Sequence, residues 1–266
     1  MLPLEALLAA TSQLQALQGY WWLFCRLAAV LLLAPLFNHK ALPARVRLLL
    51  AASLALALGG ALPAVPAVDV LSLHGVLLSL EQIAFGLVLG LMLQLVFMVF
   101  SLVGELISTQ MGMSMARYND PVNGVSSTSL VYQLYYVMLA LMFLALDGHL
   151  LVVSVVLGSF AQWPVGGGLD YGSFASLLRA AGWLFGAALL LGLPMVGCMF
   201  MVQFCFGLLN RISPSMNLFS LGFPVTIVVG LLCIWLTLPN MPEAYLRMTR
   251  EVLGDLAVLL QDDGHG

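Results

Sequence analysis

Asp147, Gly148 and His149 interrupt a run of hydrophobic residues, and an acid beside an imidazole at membrane depth is a pair from which a proton relay can be built. Together with Glu105 they would mark the pathway of a proton- or ion-coupled secondary transporter. Such a transporter also calls for broken helices in two related halves, and no convincing internal repeat runs through the chain. The plainer reading of Asp147-Gly148-His149 is a turn between two half-segments, with protein or water satisfying the freed backbone groups. Nucleophilic chemistry has less to stand on: there is no GxSxG, no HExxH and no pair of aspartates on facing segments, so an intramembrane hydrolase has no visible machinery. Cys25, Cys198, Cys205 and Cys233 lie within apolar runs without ligand spacing and are expected as small buried hydrophobes. His39, His74, His149 and His265 are scattered, so no metal or cofactor is predicted.

Composition sets the solvent. Of 266 residues, 62% are apolar and 8% charged, and the mean hydropathy is +1.06, far outside soluble globular composition. The chain is predicted to be an integral membrane protein in contact with lipid. A net charge of -3 leaves no basic patch for nucleic acid. The amino end carries Glu5 and no Lys or Arg before its first apolar residues, a poor secretory signal whose removal is not expected.

Six apolar regions must position whatever this chain does: Trp21 to Phe37, Leu48 to Leu62, Val76 to Val103, Leu130 to Phe160, Leu177 to Leu209 and Leu218 to Leu238. Residues 1 to 18 are amphipathic and suit a surface, and the tail from Pro239 is amphipathic and acidic at its end. Lys40, Arg45 and Arg47 make the densest positive cluster and place their connection in the cytoplasm, with the amino end outside. One crossing per region would leave both ends outside, although Arg247 and Arg250 against Arg211 argue for the opposite side at the carboxyl end. Several regions exceed the ~20 residues a bilayer needs and carry Gly or Pro breaks, which favours bent hairpins packed on other proteins over upright spans. Pro194 is expected to kink or split the fifth region, and Gly222 with Pro224 marks the start of the sixth. Gly86, Gly90 and Gln94 share one face at a spacing of four and permit close helix contact. Arg26, six residues into the first region, either snorkels to the interface or sits in a buried ion pair, because a charge at mid-span costs about 2.5–3.5 kcal/mol.

Between the third and fourth regions lies Gly104 to Gly124, GELISTQMGMSMARYNDPVNG, a sizeable, weakly hydrophobic insertion. It is expected as a shaped loop, since Pro121 disfavours helix at Asp120. Glu105, Arg117, Asp120 and Pro121 would anchor its base, or the charges would be solvated at a helix end. Ile107, Gln110, Met111, Gly112, Met113 and Met115 form its centre. Unbranched thioethers conform to irregular surfaces, so the loop could seal a gap and still rearrange; equally, its methionines could pack on neighbouring helices at a membrane surface. Ser126, Ser127 and Ser129 look like the cap of the next helix.

Arg26 with Pro35, Leu42-Pro43-Ala44-Arg45-Val46-Arg47, Gln110-Met111-Gly112-Met113-Ser114 with Asp120-Pro121, Asp147-Gly148-His149, and Gly207-Leu208-Leu209-Asn210-Arg211 through Pro214, Asn217, Phe219 and Gly222-Phe223-Pro224 occur in this order. Together they resemble the FliR family, from about residue 20 to 240. The family is a membrane component of the flagellar type III export gate, with relatives in injectisomes. Asp147 stands where the family often has Asn. The resemblance implies an all-α membrane protein, a single FliR-like domain over 1–266 with amino-terminal hairpins to about 125 and carboxyl-terminal hairpins from about 126. It implies a FliP-like half fused to a FliQ-like half, in a helical ring of five FliP, four FliQ and one FliR with FlhB bound outside. That gate lies in the bacterial inner membrane at the flagellar basal body, partly above the membrane plane on the periplasmic side. It passes unfolded export substrates and performs no catalysis. The resemblance also makes Ile107 to Asn119 a plug in the pore, and gives Arg26, Asp147, Gly148, His149, Pro194, Arg211, Pro214, Asn217, Gly222 and Pro224 the roles of assembly contacts and helix breaks. An injectisome gate subunit is the nearest alternative, and the secondary transporter a more remote one.

Overall fold

The structure, a computed structural model, describes residues 20–38, 42–61, 68–113, 129–167, 171–212 and 218–262. All regular structure among them is helical: α1 Tyr20–Leu33, α2 Ala44–Leu58, α3 Leu73–Gln110, α4 Leu130–Ala145, α5 Gly148–Gln162, α6 Tyr171–Ile212, α7 Leu218–Thr237 and α8 Met241–Asp262, with 3₁₀ turns at Gly59–Ala61 and Leu238–Asn240. Two compact units divide these residues, and neither is continuous in sequence. One comprises Met1–Gln94, Phe143–Ala180 and Glu251–Gly266, the other Leu95–Met142 and Ala181–Arg250.

Six crossings are not confirmed among the described residues. Among the described residues, Leu73–Gln110, Arg179–Ile212 and Gly222–Leu256 are long and apolar enough to cross a membrane, and α4 with α5 makes a fourth if that bent pair is one span. The first two apolar regions fall short. Fourteen residues of α1 reach about 21 Å at 1.5 Å per residue, against a hydrocarbon core of about 30 Å. Pro35 disfavours helix at Ala34, and the chain turns there with Leu36 left-handed at φ 68°. The 15 residues of α2 include Arg45 and Arg47. At the other extreme, the 38 residues of α3 extend about 57 Å, nearly twice that core.

The first unit is built on close approach of α1 to α3. A Cβ on Gly86 would stand 2.5 Å from the carbonyl oxygen of Arg26, and one on Gly90 would stand 2.8 Å from that of Val30. The stripe of glycines therefore does what its spacing predicts, with a helix of the same chain as its partner. Trp22, Leu23, Leu27, Val30, Phe85 and Leu89, on these two helices, are buried. The Oε1 of Gln94, the third member of the stripe, has no hydrogen-bond partner among the described residues.

The second unit packs α4 against α3 at Gly104, where a Cβ would lie 3.1 Å from the Cα of Tyr132. Ser129 caps α4, its Oγ accepting from the Tyr132 amide at 3.4 Å, the geometry of a residue preceding the first helical turn. On α8, Met241, Ala244, Tyr245 and Met248 recur at helical spacing and are buried, and the Tyr245 ring meets Phe97 edge-on at 6.5 Å.

Candidate functional site

The segment expected as a loop from Gly104 is helix for its first seven residues, because α3 continues to Gln110. The charge and glycine that suggested a loop are carried by one long helix. Its end is a glycine cap. Met113 donates its amide to the Ser108 carbonyl at 3.1 Å and Gly112 to that of Thr109 at 3.0 Å, while Gly112 is left-handed at φ 78°. These are the two bonds and the residue type that close a helix in the Schellman manner.

Around this cap the second unit supplies a seat. Ile107 and Met111 are 1% exposed, whereas Gln110 and Met113 are half-buried. Gln203 on α6 donates its Nε2 to the Gln110 carbonyl at 2.8 Å and to the Gln110 Oε1 at 3.0 Å. Thr226 on α7 donates its Oγ1 to the Met111 carbonyl at 3.2 Å. One turn further along α7, the Met111 side chain lies against Gly230, where a Cβ would stand 2.5 Å from Cγ, 2.7 Å from Sδ and 2.9 Å from Cε. The ring of Phe223 lies against Gly112. Glu105 is half-buried, and its backbone carbonyl accepts from Thr109. Met115, Arg117, Asp120 and Pro121 lie outside the described residues, as do Pro214 and Asn217.

Arg26 does not snorkel. It is fully buried in the first unit, where its Nε and Nη2 both donate to the Gln82 Oε1, at 3.0 and 2.6 Å. Its Nη1 donates to the Ser159 Oγ at 2.8 Å and its Nη2 also to the Trp163 carbonyl at 2.9 Å. Phe160 lies beneath the guanidinium, 3.7 Å from Cζ to ring centroid, and Phe85, stacked on Trp163 at 4.7 Å, forms a further wall. The Glu81 carboxylate acts favourably through space. The expected buried ion pair is thus mainly a set of neutral acceptors and aromatic faces, which hold a desolvated guanidinium through hydrogen bonds and the ring quadrupole. Its partners are 56, 133 and 137 residues away in sequence, beyond the reach of periodicity.

The break at Asp147-Gly148-His149 is the turn the sequence predicts: α4 and α5 meet there at 69°. Asp147 takes the position before α5 in the left-handed region at φ 53°, its side chain making no cap bond. A Cβ on Gly148 would collide with the Phe143 ring. Asp147 and His149 are exposed. Two other expected breaks do not split their helices. Pro194 lies inside α6 and Pro224 inside α7, with Gly222 helical beside it; each proline removes one i→i−4 bond without ending its helix. Arg211 is exposed in the last turn of α6, where a cation complements the helix dipole. Among the described residues no group of three or more His, Cys, Asp or Glu could hold a metal ion.

Residues 17–252 match the family described as bacterial export proteins, family 1. The chain is 34% identical over 242 residues to the flagellar biosynthetic protein FliR of Pectobacterium carotovorum subsp. carotovorum, covering 91% of this chain and 92% of that one. It is 31% identical over 259 residues to FliR of Escherichia coli (strain K12), covering 96% and 98%, and 29% identical over 213 residues to FliR of Bacillus subtilis (strain 168), covering 78% and 81%. Long apolar helices, the Gly112 cap and the broken α4–α5 pair thus occur in a sequence that matches one family along nearly its whole length, and the chain belongs to the FliR family of bacterial export proteins.

Proposed function

We propose that this protein is a structural subunit of the flagellar protein-export gate in the bacterial inner membrane. It assembles there in one copy with five FliP and four FliQ chains, with FlhB outside, and part of the assembly stands above the membrane plane on the periplasmic side. The match to proteins named for flagellar biosynthesis over more than nine-tenths of the chain carries this reading, and favours the flagellar system over an injectisome. Apolar side chains exposed on α6 and α7, such as Phe185, Leu190, Phe200, Phe204, Val228 and Trp235, suit lipid or neighbouring subunits. Gly182 and Gly186 face open space and would let another helix approach.

The segment from Ile107 to Asn119 contributes the plug. Apolar thioethers close the pore to ions without charge, and an unfolded export substrate displaces them. Glu105, Arg117, Asp120 and Pro121 hold the ends of the loop. Conductance of the assembled gate tests this: deleting Gly112 to Ala116, or changing Met111, Met113 and Met115 to alanine, should leave assembly intact and raise ion leakage. Unchanged conductance would remove the plug from this reading.

A further inference from the structure

We infer that Met111 is the fixed root of the loop and not one of its sealing contacts: its thioether fills the notch left by Gly230 and stays there while the gate passes substrate. This rests on the plug reading above.

Four observations converge on Met111. Its side chain is 1% exposed within its own chain, so in this arrangement it offers no surface to a pore. Its three outer side-chain atoms all lie within 2.9 Å of where a Cβ on Gly230 would be, so a side chain at Gly230 would require the thioether to shift. Its carbonyl lies 3.2 Å from the Thr226 Oγ1, whose single proton it shares with the Phe223 carbonyl at 2.9 Å, and the preceding carbonyl is held by Gln203, so two different helices meet the backbone from which the side chain springs. Finally, the left-handed Gly112 follows at once and turns the chain away from α3. To act as a gasket, Met111 would have to vacate the notch and leave a void beside a buried glycine, losing contacts that nothing replaces. Met113, two residues on, is half-buried.

The test is a cysteine pair, Met111→Cys with Gly230→Cys, in the full chain assembled with its partner subunits in membranes. Cys25, Cys198, Cys205 and Cys233 are replaced by alanine, since the Cys198 and Cys233 sulfurs already lie 3.4 Å apart. Mild oxidation should join the pair in most copies, and protein export should stay within about twofold of the reduced state. A gate that stops exporting when oxidised and recovers on reduction would overturn the inference, because Met111 would then have to leave its seat. Failure to cross-link in an assembled gate would overturn the seat itself. Gly230→Ala supplies a second reading: it should raise ion leakage severalfold with assembly preserved, and unchanged leakage would count against the root. If instead deleting Gly112 to Ala116 leaves conductance unchanged while the joined pair still permits export, the plug reading fails and the seat stands.

Discussion

The Arg26 pocket and the Met111 seat both immobilise one long side chain in a helical unit, and they do it by opposite means. Arg26 brings a charge into an apolar core and needs its acceptors and aromatic faces placed around it, from α3, α5 and the residue following α5. Met111 brings no charge and needs only absence, a missing side chain at Gly230, with hydrogen bonds confined to the backbone. A buried cation is costly when any partner is removed, because the desolvated charge remains. A thioether in a notch can give ground by rotating. The first arrangement specifies one packing of its helices; the second secures a loop while tolerating adjustment.

Removing the charge should break the comparison most. Arg26→Met leaves the buried Gln82 Oε1 and the Trp163 carbonyl without their donor, at a cost of about 1–3 kcal/mol for each unsatisfied acceptor, measured as lost thermal stability or lost accumulation in membranes. Adding Gln82→Leu and Ser159→Ala should restore much of that loss, since an apolar replacement of the whole network is often neutral or better. If the single variant is as stable as the parent, the pocket does not specify the packing of its unit. Next come the two glycine seats. Gly86→Ala presses on the rigid Arg26 carbonyl and should cost about 2–3 kcal/mol, while Gly230→Ala presses on a side chain and should cost about 1 kcal/mol. Equal unfolding midpoints for the two variants would erase the distinction between a backbone wall and a yielding one. Smallest is Gly182→Ala, with nothing within 4 Å of its Cβ. Alanine's better helix propensity should leave the isolated chain neutral or stabilised by up to about 1 kcal/mol, so a loss seen only in the assembled gate would locate a neighbouring helix at that face.

Sequence patterning conveyed what depends on neighbours in the chain. The Gly86 and Gly90 face, the break at Asp147-Gly148 and the Ser129 cap were legible because spacing or local backbone chemistry dictates them. It misjudged where helices end. Gly104 and Glu105 suggested a loop, yet α3 continues because Gly104 is the close contact with Tyr132; the stop signal was Gly112, legible as a glycine following a helix. Pro194 and Pro224 do not split their helices, since a long apolar helix tolerates the loss of a single hydrogen bond. Hydropathy also made α1 a span, although its apolar residues face their own unit: Trp22, Leu23 and Val30 are fully buried. An apolar stretch looks the same whether lipid or protein covers it. The partners of Arg26 and Met111 come from distant segments and required the fold.

Native mass spectrometry of the tagged chain, purified in mild detergent with its companions, tests the central claim most directly. A discrete particle with one copy of this chain and several FliP and FliQ chains is expected. A stable monomer or homodimer, with those companions present in the same membranes but unbound, would contradict it.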